Sequence, residues 1–197
     1  MASKQADSFR SYPTTVGCLV LIICACLFGL YRCQGPDSPR WRKAVARELQ
    51  EAKSNVLKNV DAQDGMMRLR GAAKSSNSFE RTYAVGTIGE LGPKGADAMP
   101  ELLEALQTED LYVRREAAIA AGKMGAAGCQ AVPSLIRLLH FRESDSSIFA
   151  AESLGKLGSC ALEAVPALRV AAQDSNPDLL KSAARKALNR LTGVEDE

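Results

Sequence analysis

The sequence predicts an all-α protein: an α-solenoid of about four stacked helix pairs, preceded by a single transmembrane helix. Three observations predict this fold: a motif that returns at a constant spacing, glycines and a proline at fixed places in each copy, and an uncharged apolar run near the N-terminus. The 197 residues are 46% apolar and carry 25 basic against 23 acidic side chains, which is typical of a folded chain. The single histidine, His140, excludes metal sites built from several histidines.

The first element is the apolar run. The whole stretch between Arg10 and Arg32 is without a charge, and residues 16–30 are almost continuously apolar. About 20 residues of helix cross the hydrocarbon core of a bilayer. The prediction is therefore a tail at 1–12, a transmembrane anchor at 13–32 and a tether at 33–39.

Two other interpretations of this run stay open. Lys4 and Arg10 could form the basic region of a cleaved signal peptide, and Cys24 or Cys26 could carry the lipid of an exported, lipid-anchored envelope protein. More basic side chains follow the run than precede it, which favours a cytoplasmic repeat domain. Four of them are also candidates for contact with anionic headgroups: Arg40, Arg42, Lys43 and Arg47.

The repeat is the strongest pattern in the chain, with a period of about 33 residues. Each clear copy contains two glycines, and a proline follows the second glycine at the same distance in every copy. The second glycine is expected to end a first helix in the left-handed conformation, and the proline to begin a second helix. The structural residues are Gly89, Gly92, Pro100, Gly122, Gly125, Pro133, Gly155, Gly158 and Pro166.

The repeats are expected to fill the rest of the chain. In the clearest copy the two helices are predicted at 110–124 and 133–141, joined by a short linker. Residues 40–76 are predicted to form a degenerate first repeat, 77–192 the clear repeats, and 193–197 an acidic tail. In the last helix Leu188 and Leu191 replace the two glycines, so this helix is predicted to be a terminal cap. Such pairs bury their apolar faces only by stacking on one another.

These motifs resemble those of HEAT repeats, in particular the short variety also found in phycobilisome lyases. The resemblance is carried by the segment 110–118, by the glycine pairs and by residues 129–133, and it covers about residues 40–192. It implies a right-handed solenoid that acts as a protein-binding scaffold. A lyase-like enzyme or enzyme accessory is the alternative. The iron-binding HEAT hydroxylases use paired His-Glu motifs, which this chain lacks.

The predicted function is a non-enzymatic, membrane-anchored scaffold without a cofactor. A protein or peptide partner is expected on the concave row of second helices. The candidate side chains are Glu101, Glu104, Gln107, Ser134, Arg137, His140, Arg169 and Gln173. Their mixed charge argues against a nucleic-acid partner, which would need a basic stripe. Self-association through residues 40–60 stays open.

Two cysteines, Cys129 and Cys160, lie in the repeat domain. They are expected to be small buried or loop residues, because no paired cysteine motif is present. A disulfide between them would require an oxidising compartment.

Overall fold

The structure is a computed structural model that describes residues 38–141, 145–173 and 177–193. The predicted N-terminal tail, the anchor at 13–32, the first part of the tether and all but the first residue of the acidic tail lie outside these residues. The chain divides into two compact units, residues 1–41 and 42–197. No helix in the described part is both long and apolar enough to cross a bilayer.

The described residues are almost entirely helical, which confirms the predicted all-α class. First and second helices alternate along the chain and form stacked pairs, as expected of an α-solenoid. The first helices are α1 (Pro39–Lys58), α3 (Ser78–Glu90), α5 (Leu111–Lys123), α7 (Asp145–Leu157) and α9 (Asp178–Thr192). The second helices are α2 (Ala62–Ala73), α4 (Met99–Ala105), α6 (Val132–Leu138) and α8 (Val165–Ala171).

Small side chains let successive first helices approach closely. Each of α3, α5 and α7 packs against the next first helix in the chain. Ala84, Ala117 and Ala150, which share one place in the repeat, are fully buried. A Cβ added at Gly89 would lie 2.7 Å from the Cα of Ala120, which is closer than real Cβ atoms come to such neighbours. The short distance between α3 and α5 therefore requires glycine at position 89.

The second glycine of each pair adopts the predicted left-handed conformation. The φ angles of Gly92, Gly125 and Gly158 are 56°, 59° and 65°. A residue with a Cβ is strained at such angles, so the sequence correctly identified these positions as helix ends.

The segment after each turn differs from the predicted linker. The chain forms seven-residue 3₁₀ helices at Gly92–Ala98, Gly125–Ala131 and Gly158–Ala164. Each ends in a fully buried alanine that belongs to the core. The expected second helix at 133–141 is shorter and begins one residue before the proline, at Val132–Leu138.

A disulfide joins Cys129 and Cys160, and the expectation of two isolated cysteines is wrong. The two residues are 31 positions apart, close to one repeat length, so they lie in successive 3₁₀ segments. Stacking of the repeats brings their Cα atoms to 5.8 Å. The pairing thus follows from the repeat period, which a search for local cysteine motifs does not detect.

Candidate functional site

The eight predicted binding residues divide into an exposed group and a buried pair. Six are exposed on the second helices or on the turns that follow them: Glu104, Gln107, Arg137, His140, Arg169 and Gln173. Glu101 and Ser134 are buried, at 2% and 7% relative exposure, which corrects the expectation that they face solvent. Both follow the helix-starting proline directly. In the repeat that contains Glu101, the position after the proline faces the preceding repeat.

Glu101, Arg70 and Lys74 form an ion-pair cluster around a buried carboxylate. The side chain of Glu101 is 1% exposed, and its Oε1 accepts from Arg70 Nε at 3.0 Å and from Lys74 Nζ at 3.1 Å. Burial acts to raise the pKa of Glu101. The hydrogen bonds from Arg70 and Lys74 outweigh burial and hold this pKa below its usual value. Glu101 is therefore an ionised carboxylate that ties α4 to α2 and to the residue that follows it.

A groove of about 510 Å³ opens beside this cluster. It lies between the end of α2, the first turn of α3 and the helix α4. Three of the predicted binding residues, Glu101, Glu104 and Gln107, line it. The other lining residues are Ala73, Lys74, Arg81, Pro100, Leu103, Ala105 and Thr108.

Asp110 binds the guanidinium of Arg81, one of the residues that line the groove. As the N-cap of α5, it accepts from the backbone N–H groups of Tyr112 and Val113 at 3.0 and 3.3 Å. Its Oδ2 accepts from Ser78 Oγ and, at 3.2 Å, from Arg81 Nη2. Burial raises the pKa of Asp110, but these hydrogen bonds outweigh it and lower the pKa. Arg81 is thereby fixed with one edge of its guanidinium on Asp110.

The remaining predicted binding residues, from Ser134 to Gln173, lie outside the groove lining. Arg137 donates from Nη2 to Ser134 Oγ at 2.9 Å, which explains why Ser134 is buried beneath it. His140 is exposed in the turn after α6. Within the described residues no group of three or more His, Cys, Asp or Glu side chains could hold a metal ion.

The four predicted membrane-surface residues are all exposed on α1. Arg42 also has a partner within the array, because its guanidinium lies 5.0 Å from the ring centre of Phe79. This contact is a role that the sequence did not reveal. Headgroup binding by Arg40, Arg42, Lys43 and Arg47 stays a prediction.

The sequence did not predict that Arg70, Lys74 and Arg81 are parts of the site. A signal does exist for Arg70: it precedes Glu101 by 31 residues, close to the repeat period, with opposite charge. The same place in the next two repeats is occupied by Ser134 and Ala167, so the cluster is not periodic. Residues that recur at the repeat period therefore do not indicate the Glu101 cluster.

Comparison with known proteins supports the repeat architecture. A family model described as HEAT repeats matches residues 66–140 and 99–189. A crystal structure titled as that of an engineered protein is similar, with a TM-score of 0.59 and 20% sequence identity. The similarity covers 90% of this chain and 84% of the engineered one, and at this identity it shows the fold alone. No curated protein matches the sequence.

Proposed function

Because this chain is a HEAT-repeat protein, we propose that it is a non-enzymatic scaffold that binds a protein partner along its second helices. HEAT repeats generally mediate protein–protein contacts through the extended surface that stacking creates. The observation that carries the proposal is the groove of about 510 Å³ at one end of a row of exposed polar side chains. The row, from Glu104 on α4 to Gln173 after α8, is called the binding row below.

The charges along the binding row give it a direction. Glu104 is an exposed acid on α4, whereas Arg137 and Arg169 are exposed bases on α6 and α8. A partner with basic residues facing α4 and acidic residues facing α6 and α8 would match this order. Complementary charge of this kind governs specificity and association rate more than affinity.

The test is crosslinking capture in cells with the tagged full-length chain. The variant Glu104→Lys, Arg137→Glu, Arg169→Glu reverses the row charges. Its matched control, Lys123→Glu, changes the net charge by the same amount and reverses an exposed charge at the end of the first helix α5. We expect one discrete partner that the control retains and the row variant loses. Equal capture by both variants, or recovery of self-crosslinked chain only, contradicts the proposal. A co-purifying chromophore would instead support the lyase-like alternative.

We also propose that residues 13–32 anchor the array in a membrane. The support is the uncharged run of spanning length in the sequence. Two observations disagree about which side of the membrane the array faces. The basic residues favour the cytoplasm by five side chains against two. The Cys129–Cys160 disulfide favours an oxidising compartment.

We give the disulfide more weight, because the charge difference is small, and place the array on the non-cytoplasmic side. The expected result is that no free thiol is detected at Cys129 or Cys160 when cells are lysed in a thiol-blocking reagent. Free thiols at both positions would indicate instead that the array faces the cytoplasm. Sequencing of the mature N-terminus separates the anchor from its alternatives, since a lipid-anchored or cleaved chain would begin near residue 24 or beyond.

A further inference from the structure

The first helices of the array run parallel, so their starts lie along one edge. Contacts between neighbouring first helices join start to start: Arg42 of α1 lies over the ring of Phe79 on α3, and Arg81 of α3 donates to Asp110, the N-cap of α5. The glycine contacts described above join positions nearer the helix ends. The edge formed by the starts of the first helices is called the starting edge below.

Large apolar side chains are exposed along the starting edge. Leu111 and Tyr112 begin α5, and Leu179 is the second residue of α9. Phe141 follows α6 and lies against the first turn of α5, because its ring centre is 5.2 Å from the guanidinium of Arg114. These four apolar residues, called the edge residues below, are each 52–70% exposed. Their removal from water is favourable, so the starting edge has the side chains of a docking surface.

Both rings among the edge residues have a basic group beside them. The guanidinium of Arg115 lies 5.7 Å from the ring centre of Tyr112, as that of Arg114 does beside Phe141. Tyrosine and tryptophan rings are enriched at the headgroup level of membranes. Guanidinium groups bind phosphate well. The two pairs therefore have the chemistry that fits a phospholipid surface.

The starting edge carries both signs of charge. Exposed bases near the helix starts are Arg42 and Lys43, and exposed acids are Glu109, Asp145 and Asp178. An anionic lipid surface would repel these acids. A zwitterionic headgroup, which pairs a phosphate with a cation, fits the mixed charge better.

The tether favours this edge over the opposite one. The proposed anchor ends at residue 32 and α1 begins at Pro39, so residues 33–38 separate them. Fully extended, this segment reaches about 20–25 Å. The 20 residues of α1 make a helix about 30 Å long. To bring the opposite edge of the array to the bilayer, the tether would have to be almost fully extended, whereas the starting edge needs no such extension.

We propose that the starting edge lies on the surface of the membrane that holds the anchor, with the edge residues inserted among zwitterionic phospholipid headgroups. Apolar side chains at such a surface are buried by about 5–10 Å into the headgroup and acyl boundary. This inference rests on the anchor in the proposed function and adds a second contact with the bilayer.

The experiment is photolabelling of the full-length chain in phosphatidylcholine proteoliposomes. A small fraction of the phosphatidylcholine carries a diazirine near the glycerol end of one acyl chain, and mass spectrometry locates the lipid adducts. The internal control is Leu57, Val60 and Leu162, which are exposed apolar side chains away from the starting edge. We expect adducts in the anchor, and at least fivefold more adducts at the edge residues than at the control. Equal labelling of both sets, or adducts in the anchor only, overturns the proposal.

Two variants assign the contact to the starting edge. Leu111→Gln with Tyr112→Gln removes the exposed apolar side chains at the start of α5, so labelling of the other two edge residues should fall at least threefold. Leu57→Gln with Val60→Gln makes an equal change at the other end of α1 and should leave this labelling intact. Unchanged labelling in the first variant overturns the surface. Labelling of the unaltered chain remains decisive if that variant fails to fold.

The outcomes separate this inference from the proposed function. Adducts at 13–32 without adducts at the edge residues reject the surface and leave the anchor. Adducts at the edge residues alone support the surface and reject the anchor. If the crosslinking capture yields a protein partner that Leu111→Gln with Tyr112→Gln loses, and the edge residues carry no lipid, the edge binds a protein and the lipid contact is overturned.

Discussion

Gly122 shows how one missing methyl group sets the distance between two helices. A Cβ at this position would lie 2.9 Å from the Cα of Ser153 on α7. We expect Gly122→Ala to lower the free energy of unfolding by about 1–3 kcal/mol, because α5 and α7 must separate to accept the methyl. Urea denaturation followed by circular dichroism measures the change.

Gly71 is the matched control for this substitution. It lies exposed near the end of α2, and an added Cβ would meet no atom within 4 Å. Gly71→Ala should be neutral or raise stability by up to about 1 kcal/mol, since alanine favours helix. If the two variants had the same stability, close approach would not explain the glycine at 122.

The Glu101 cluster predicts a pH dependence of stability. The folded-state pKa of Glu101 lies below its ordinary value, so its contribution is fully present above that ordinary value. It is lost as the pH falls through the folded-state pKa. Between about pH 5 and pH 2, the wild type should therefore lose more unfolding free energy than Glu101→Gln does. Parallel slopes for the two proteins would contradict this assignment.

At the scale of elements, α9 is predicted to cap the array, and it is the last helix among the described residues. It buries Leu180, Ala183, Ala184 and Ala187, and packs on α7 and α8. Leu188 and Leu191, in the places of the repeat glycines, also pack against the core. No second helix follows α9 among the described residues.

Removal of α9 should therefore expose apolar surface of α7 and α8. We expect a chain that ends at residue 173 to aggregate and to unfold at a lower temperature than the full chain. A chain that lacks only residues 193–197 is the control and should behave as the full chain does. Size-exclusion chromatography and thermal melting measure both properties. A monomeric, equally stable truncation would show that α9 is not needed as a cap.

How far the sequence predicts these elements depends on which contacts repeat. The helix ends at Gly92, Gly125 and Gly158 were predictable, because the same backbone strain recurs at one place in each repeat. The 3₁₀ segments were not, because their form depends on burial of Ala98, Ala131 and Ala164 in the assembled core. The ion pairs of Glu101 were also missed, since they occur at one repeat only and join residues that are far apart in the sequence.

At the scale of the whole molecule, contacts run mainly between neighbouring pairs. Stability in such arrays is a sum of local terms, so different regions can open separately. The Cys129–Cys160 disulfide closes a segment of 31 residues and so restricts the unfolded chain across two repeats. From the entropy of loop closure, the disulfide is expected to raise the free energy of unfolding by at most about 4 kcal/mol.

Reduction should therefore act locally. We expect dithiothreitol to increase hydrogen exchange in α5–α8 and to leave α2 and α3 nearly unchanged, as measured by mass spectrometry. The double variant Cys129→Ser, Cys160→Ser should show the reduced pattern without reductant and should not respond to it. A uniform increase across all helices would mean that the array unfolds as one cooperative unit.

The equivalent contacts between successive first helices have an evolutionary consequence. Gly89 faces Ala120, Gly122 faces Ser153 and Gly155 faces Ala187, so each junction pairs a glycine with a small residue of the next first helix. Ala120 and Ser153 share one place in the repeat, and Ala187 lies one residue after that place. A duplicated cassette of one repeat, spanning α5 and α6, would put Gly122 opposite a second Ala120, the same pairing that Gly89 already makes. Copy number can thus grow by tandem duplication inside the array without a new interface having to evolve. Growth beyond α9 is blocked, because Leu188 stands where the next junction would require glycine.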